Sequence, residues 1–318
     1  MGRKRFALEN DLICLRAHVG ETLCEFGKDD RLFVLDTDLA QSTTSARFRE
    51  KYPDRFIEMG ISEQSAMSVA TGLAIEGKIP FFVSFAMFTT GTPWTQLRQA
   101  CYSRLNVKVI GTHPGLDDGP DGASHHANED LALTRVLPNL TVLTPSSLSE
   151  LHDSIKLAIE TEGPFYIRVA RDTLPVLNAP EQPVRLGKFI VNYDDGNDIA
   201  ILYEGSALKA AYEGYCILKQ EGVPCKLINI SCLKPIDKEG LCSLAGNVKG
   251  IVTVENHSVL GGLGGAVAEV LMNAGRTVKF AQVGVQDVFT ESGKISDLKE
   301  KYGITGEHVA ECARRLVP

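Results

Sequence analysis

Glu63 stands at a loop-to-helix junction within the largely apolar stretch FIEMGISEQSAMSVATGLA (56 to 74). A carboxylate shielded from water can hold a strong hydrogen bond or take part in proton transfer. One in the first turn of a helix also has an ordinary explanation, favourable interaction with the helix dipole. Asp36 and Asp38 close the run RLFVLDTD, and acidic groups just past a strand's carboxyl end either face a ligand crevice or serve as turn residues. His113 ends NVKVIGTH, and Asp121 and His125 lie in the loop PGLDDGPDGASHH that follows. A solitary loop histidine is ordinarily a surface residue. Phe85 and Phe88, in SFAMF, offer either an aromatic wall or simple core packing. Taken alone, Ser42 reads as loop and Arg171 as a surface residue closing a strand, although a guanidinium fork also suits an oxyanion.

The elements that must position these residues alternate in type. Buried strands are predicted over 31 to 38, 79 to 88, 106 to 113, LTVLTP and 165 to 171, with helices over 9 to 27, 63 to 76, 93 to 103, 127 to 136 and 147 to 160. Ser62 is the expected N-cap of the Glu63 helix, its oxygen accepting an orphan amide. Gly77 is the expected stop. Ala66, Val69, Ala70, Leu73 and Ala74 recur at three- and four-residue spacing, predicting a face of small side chains suited to close burial. Ser42 to Ser45 reads as part of a solvated loop. The Pro-rich segment 172 to 187 reads as a linker, which divides the chain into 1–178 and 179–318. Beyond it the alternation restarts through DIAILYEG, VPCKLINI, GIVTVEN and TVKFAQV, with helices over 206 to 220, 236 to 245 and 262 to 273. The whole reads as α/β, two domains with mainly parallel sheets covered on both faces. GGLGG (261 to 265) does not meet the GxGxxG dinucleotide pattern, and close helix-to-sheet packing or a subunit contact is the better account of it.

Composition supports the same picture. With 318 residues and 44% hydrophobic content the chain can build two cores, and a formal charge of -7 with no long basic run speaks against a nucleic-acid surface. The basic opening MGRKRF has no apolar stretch behind it, and no membrane-length span occurs, so the expectation is a cytoplasmic protein. The eight cysteines contain no CxxC pair and read as reduced thiols without structural zinc; no metal ligand is assigned in this chain.

GISEQ (60 to 64), SFAMF (84 to 88), GTH (111 to 113) and DGASHH (121 to 126) occur in an order and spacing that resemble the pyrimidine-binding and C-terminal domains of transketolase. RVARDTLP (168 to 175) and VTVENHSVLGGLG (252 to 264) extend the resemblance over nearly the whole chain. It implies a thiamine diphosphate enzyme in which Glu63 hydrogen-bonds N1′ of the aminopyrimidine, shifting the 4′-amino group toward the imino form that removes the thiazolium C2 proton. It places Phe85 and Phe88 against the pyrimidine and Asp38 on the cofactor side. His113, Asp121 and His125 become donor-sugar residues: His113 near C1 or the phosphate path, Asp121 at a hydroxyl beside the cleaved bond, and His125 at the substrate oxygens. His113 and His125 are thereby catalytic with Glu63, and Ser42 and Arg171 match positions that hold the substrate phosphate. The chain departs from the family in Pro114, in His126 where glutamine is common, and in Gly91 and Thr92 where a further aromatic is often found.

The family's diphosphate-and-magnesium signature, GDG with a later asparagine, occurs nowhere in the chain. The resemblance therefore implies the C-terminal subunit of a split transketolase. A separately encoded N-terminal partner would supply Mg2+ and the diphosphate grip, in an αβ or α2β2 assembly that moves a two-carbon glycolaldehyde unit from a ketose phosphate to an aldose. Three other readings stay open: a 2-oxoacid dehydrogenase β subunit, a 1-deoxyxylulose-5-phosphate synthase fragment, or a non-catalytic scaffold subunit.

Overall fold

The computed structural model describes residues 11–317. The basic opening and the first two residues of the predicted 9 to 27 helix lie outside them. Two parallel-rich sheets organise the chain. The first half contributes β1 (Leu12–Ile13), β2 (Leu32–Asp36), β3 (Phe56–Glu58), β4 (Ile79–Phe85), β5 (Lys108–Thr112), β6 (Thr141–Leu143), β7 (Phe165–Val169) and β8 (Leu174–Pro175). The second half contributes β9 (Ile190–Asp194), β10 (Ile199–Tyr203), β11 (Cys225–Asn229), β12 (Cys232–Lys234), β13 (Gly250–Ser258) and β14 (Lys279–Val285).

The larger sheet has the order β12-β6-β7-β5-β4-β2-β3 and the smaller β14-β13-β10-β11-β9. Every pairing within them is parallel except at two edges, where β12 runs against β6 and β9 against β11. Thus a strand from beyond the predicted linker completes the first half's sheet. β1 and β8 pair as a separate antiparallel ribbon.

Burial on both faces explains the near-continuous apolar strands. Phe81 and Val83 of β4 enter one hydrophobic cluster, while Phe82 between them enters the other. Both clusters continue into the second half, the first through Ile199, Ile201 and Tyr203 and the second through Ala200 and Leu202 of β10.

Helices confirm most of the periodicity, with instructive departures. The Glu63 helix spans Glu63–Ile75 and stops as expected: Gly77 adopts φ +76°, its amide bonds Ala74 O, and the Lys78 amide bonds Leu73 O, a Schellman motif. Its buried face is Glu63, Ala66, Met67 and Ala70, whereas Val69 lies exposed. Ser62 does sit at the N-cap, but its hydroxyl donates to Met59 O at 2.7 Å and caps no helical amide. The region expected as one helix to residue 27 is broken into Leu15–His18 and Val19–Phe26. The expected solvated loop at Ser42 to Ser45 instead begins inside the short helix Ala40–Thr43, and the Thr43 and Ser45 hydroxyls hold the buried Asp36 carboxylate at 2.9 and 2.8 Å. GGLGG packs tightly: a Cβ on Gly262 would collide with Glu255 Oε2 and one on Gly264 with Gln282 Nε2.

Candidate active site

Four neighbouring parallel strands deliver their carboxyl ends to one rim of the large sheet. β2 ends at Asp36, β4 at Phe85, β5 just before His113 and β7 two residues before Arg171. A crevice outside such strand ends is where open α/β sheets place ligands. His113 turns the chain there with φ +56°, a conformation uncommon outside glycine, and its Nδ1 meets Thr112 Oγ1 at 2.9 Å.

The predicted aromatic and histidine residues form one continuous chain of rings. Phe85 lies 3.8 Å from the His113 ring and 6.0 Å from Phe88, and Phe88 meets His125 edge-on at 5.1 Å. Residues far apart in the chain are thus in contact. Burial, then the positive charges of Arg171 and Arg16, push His113 down to about 3, so its imidazole is neutral and acts as a hydrogen-bonding group.

The basic groups gather beside His113. Arg171 Nη1 donates to Asp117 O at 2.9 Å, and its amide donates to Asp117 Oδ2. Arg16, which no sequence motif singles out, donates through Nη1 to Ser42 O at 2.5 Å, and its Nε is buried without a partner among the described residues. Only the fold joins Arg16 to Ser42 and His113; no spacing in the sequence signals it. Ser42 and Asp38 line a second edge of the rim, a shallow groove shared with Arg49 and Glu58. Glu58 Oε1 holds the Asp38 amide at 2.9 Å, while the Asp38 side chain is exposed.

The loop after β5 is tighter than its composition suggests, a run of 3-10 turns over Gly115–Asp121 broken at Gly119. Asp121 is exposed at its end, and Asp118 is buried behind it with Oδ2 unpartnered among the described residues. Burial, and then hydrogen bonding and charge from Asp121, raise Asp118 to about 8. His126 turns inward, bonding Thr290 Oγ1 at 2.6 Å and Gly119 O at 3.1 Å, so it braces the loop.

Glu63 starts its helix with only 8% of its surface exposed and no hydrogen bond from its carboxylate to any described residue. That helix packs on β4, the strand carrying Phe85, and Gln64 bonds Thr92 O just past Phe88. A largely buried acidic residue whose carboxylate is not engaged by the described residues, together with a stacked aromatic pair, is a donor set that fits the aminopyrimidine half of thiamine diphosphate. Among the described residues no group of three His, Cys, Asp or Glu could hold a metal ion.

The fold and rim define a two-part, mainly parallel α/β protein with a crevice at its strand ends, and comparison with known proteins makes its family definite. Residues 13–176 match the transketolase pyrimidine-binding domain and 187–309 the transketolase C-terminal domain. The chain belongs to the transketolase family, as a C-terminal subunit. A Methanocaldococcus jannaschii protein bearing the name of a transketolase C-terminal section is 39% identical over 93% of this chain and 94% of its own length. A Clostridium 6-deoxy-6-sulfo-D-fructose transketolase subunit is 35% identical over 95% and 94%. A solved split-gene transketolase chain, an inactive β4 tetramer, is 41% identical with a TM-score of 0.88, over 96% of this chain and 98% of that one.

Proposed function

We propose that this chain is the pyrimidine-binding half of a split transketolase that moves a two-carbon ketol unit from an anionic ketose to an aldose. A separate N-terminal subunit would complete the site with Mg2+ and the diphosphate grip, in an αβ or α2β2 assembly. A cytoplasmic setting suits the eight unpaired cysteines. The reading rests on the ring chain from Phe85 to His125, set beside Arg171 and Arg16 at the strand ends.

Each residue has a task in it. Glu63 would hold the pyrimidine ring nitrogen, in surroundings dry enough to make that hydrogen bond strong. Phe85 and Phe88 would stack on the ring, and Asp38 would face the cofactor side. When bound, thiamine diphosphate supplies the carbon nucleophile that opens a ketose beside its carbonyl. His113, neutral, would hold a donor oxygen near C1, and His125 and Asp121 would bond its hydroxyls. Arg171, Arg16 and the Ser42 turn would grip the donor's distal anion. Relatives extend that anion's chemistry: one is named for a sulfonated fructose, and another, from Phocaeicola vulgatus, is named as part of an apulose-4-phosphate transketolase.

Purifying the chain together with the N-terminal subunit and assaying ketol transfer tests the reading. Glu63→Gln is expected to leave assembly intact and lower kcat by about 100-fold or more, on the order of 3 kcal/mol in the barrier. Near-normal turnover in that variant would remove Glu63 from its role. Asp121→Ala should change the choice among donor ketoses more than the cofactor affinity, and an unchanged donor profile would count against its assignment.

A further inference from the structure

We propose that Lys299, carried by the second half of the chain, is a positioning residue that sets Arg171 and the donor loop through Asp117 and Asp172. The proposal rests on reading Arg171 as the grip for the donor's anion.

The geometry is a buried relay. The helix Ile295–Lys301 packs against the Gly115–Asp121 turns, and its Lys299 is 8% exposed. Lys299 Nζ lies 3.1 Å from Asp117 Oδ1 and 2.9 Å from Asp172 Oδ2. Asp117, wholly buried, then serves the strand end: its Oδ2 accepts the amides of Arg171 and Asp172, both at 3.0 Å, and its carbonyl accepts Arg171 Nη1. Asn256 Nδ2, also from the second half, donates to Asp117 Oδ1 at 2.9 Å. Arg171 is therefore held at its backbone and at its guanidinium by one carboxylate residue, whose charge Lys299 balances. Farther along the same segment, Thr290 bonds His126 and the Gly293 amide bonds Gly119 O, fixing the other end of the loop.

A buried ion triad is a poor device for stability, since a well-packed apolar set of similar volume commonly does as well. What it supplies is geometry, because each oxygen has a directed donor. Burial alone would lower the Lys299 proton affinity, but the Asp117 and Asp172 charges raise it above the ordinary lysine value, so the ammonium persists at any physiological pH. Without it, two carboxylates face each other in a dry site and the Arg171 anchor shifts. Displacement of a binding group by about 1 Å is enough to cost on the order of 100-fold.

The test uses the assembled two-subunit enzyme with a phosphorylated ketose donor and its unphosphorylated counterpart. Lys299→Met should raise KM for the phosphorylated donor by about 10- to 100-fold. The unphosphorylated donor should change little, and kcat should stay within a few-fold. Asp172→Asn, which keeps the Lys299–Asp117 pair, should give a smaller rise in the same direction, and it carries the test if Lys299→Met does not fold. A general loss of packing would lower both donors alike. An unchanged KM ratio in Lys299→Met, alongside a collapsed ratio in Arg171→Met, would overturn the proposal. If Arg171→Met itself leaves the ratio unchanged, the anion-grip reading fails instead. Hydrogen exchange then decides on positioning alone: the Arg171 and Asp172 amides should exchange faster in Lys299→Met, and unchanged protection would refute the relay.

Discussion

His113 shows how much chemistry one buried residue takes from its neighbours. It sits at the end of β5 with a positive φ, packed face-near on Phe85 and bonded to Thr112 Oγ1. Its folded value near 3 lies below the unfolded value near 6.5, so the neutral ring contributes stability above pH 6.5 that is lost as pH falls toward 3. Ring-nitrogen NMR of the labelled protein should therefore show His113 uncharged at about pH 5, and titration near 6.5 would contradict the buried setting. At this scale the sequence is legible where residues cluster in motifs. His113, Asp121, His125, Phe85 and Phe88 all lie in such motifs, and all of them but Asp121 join one chain of ring contacts. Arg16 is not legible, because its relation to Ser42 and His113 exists only once a distant turn is laid against the strand ends.

Elements are legible where they are long and periodic, and obscure where tertiary context decides. The helix Glu63–Ile75 appears in the sequence with its stop, but the Ser62 hydroxyl turns back to Met59 O because the preceding turn offers a carbonyl at 2.7 Å. β12 has only three residues, and nothing local says that it joins the other half's sheet rather than its own. GGLGG is legible as a packing device, and the structure gives the reason. The Glu255 carboxylate accepts the Leu263 and Gly264 amides at 2.6 and 3.0 Å, taking the place of a side-chain cap, and it occupies the space a Cβ on Gly262 would need. Gly262→Ala should thus lose about 1–3 kcal/mol in urea unfolding through forced displacement of that carboxylate. Gly265, three residues on, has its nearest neighbour at 3.5 Å from a would-be Cβ and lies within the helix. Gly265→Ala should accordingly be neutral or stabilising by up to about 1 kcal/mol. Equal effects at the two sites would mean that Glu255 is not what demands the glycine.

At the scale of the molecule, the two halves are joined by charge as well as by shared cores, and Arg168 is the joint. It lies within RVARDTLP, yet nothing local in the sequence signals its full burial. Arg168 binds Asp130 bidentately at 2.7 and 2.9 Å from the first half, and reaches Glu204 Oε2, Ser206 Oγ and Asn256 O of the second at 2.8 to 2.9 Å. Tyr166 adds a 2.6 Å hydrogen bond to Asp130. Burial would raise the Asp130 carboxyl, but Arg168 outweighs it and holds the group below its ordinary range. Stability from Asp130 is therefore present above about pH 4 and lost as pH falls below it. Removing the guanidinium leaves two carboxylates buried without their cation, so Arg168→Leu should cost about 3–5 kcal/mol. Denaturant unfolding of the wild type should follow one transition by both fluorescence and circular dichroism, since both clusters span the halves. Arg168→Leu should separate the two probes, one half opening before the other. A loss under about 1 kcal/mol with coincident transitions would show that the shared cores alone hold the halves together, leaving the relay through Lys299 as the ionic contact between them that matters for the site.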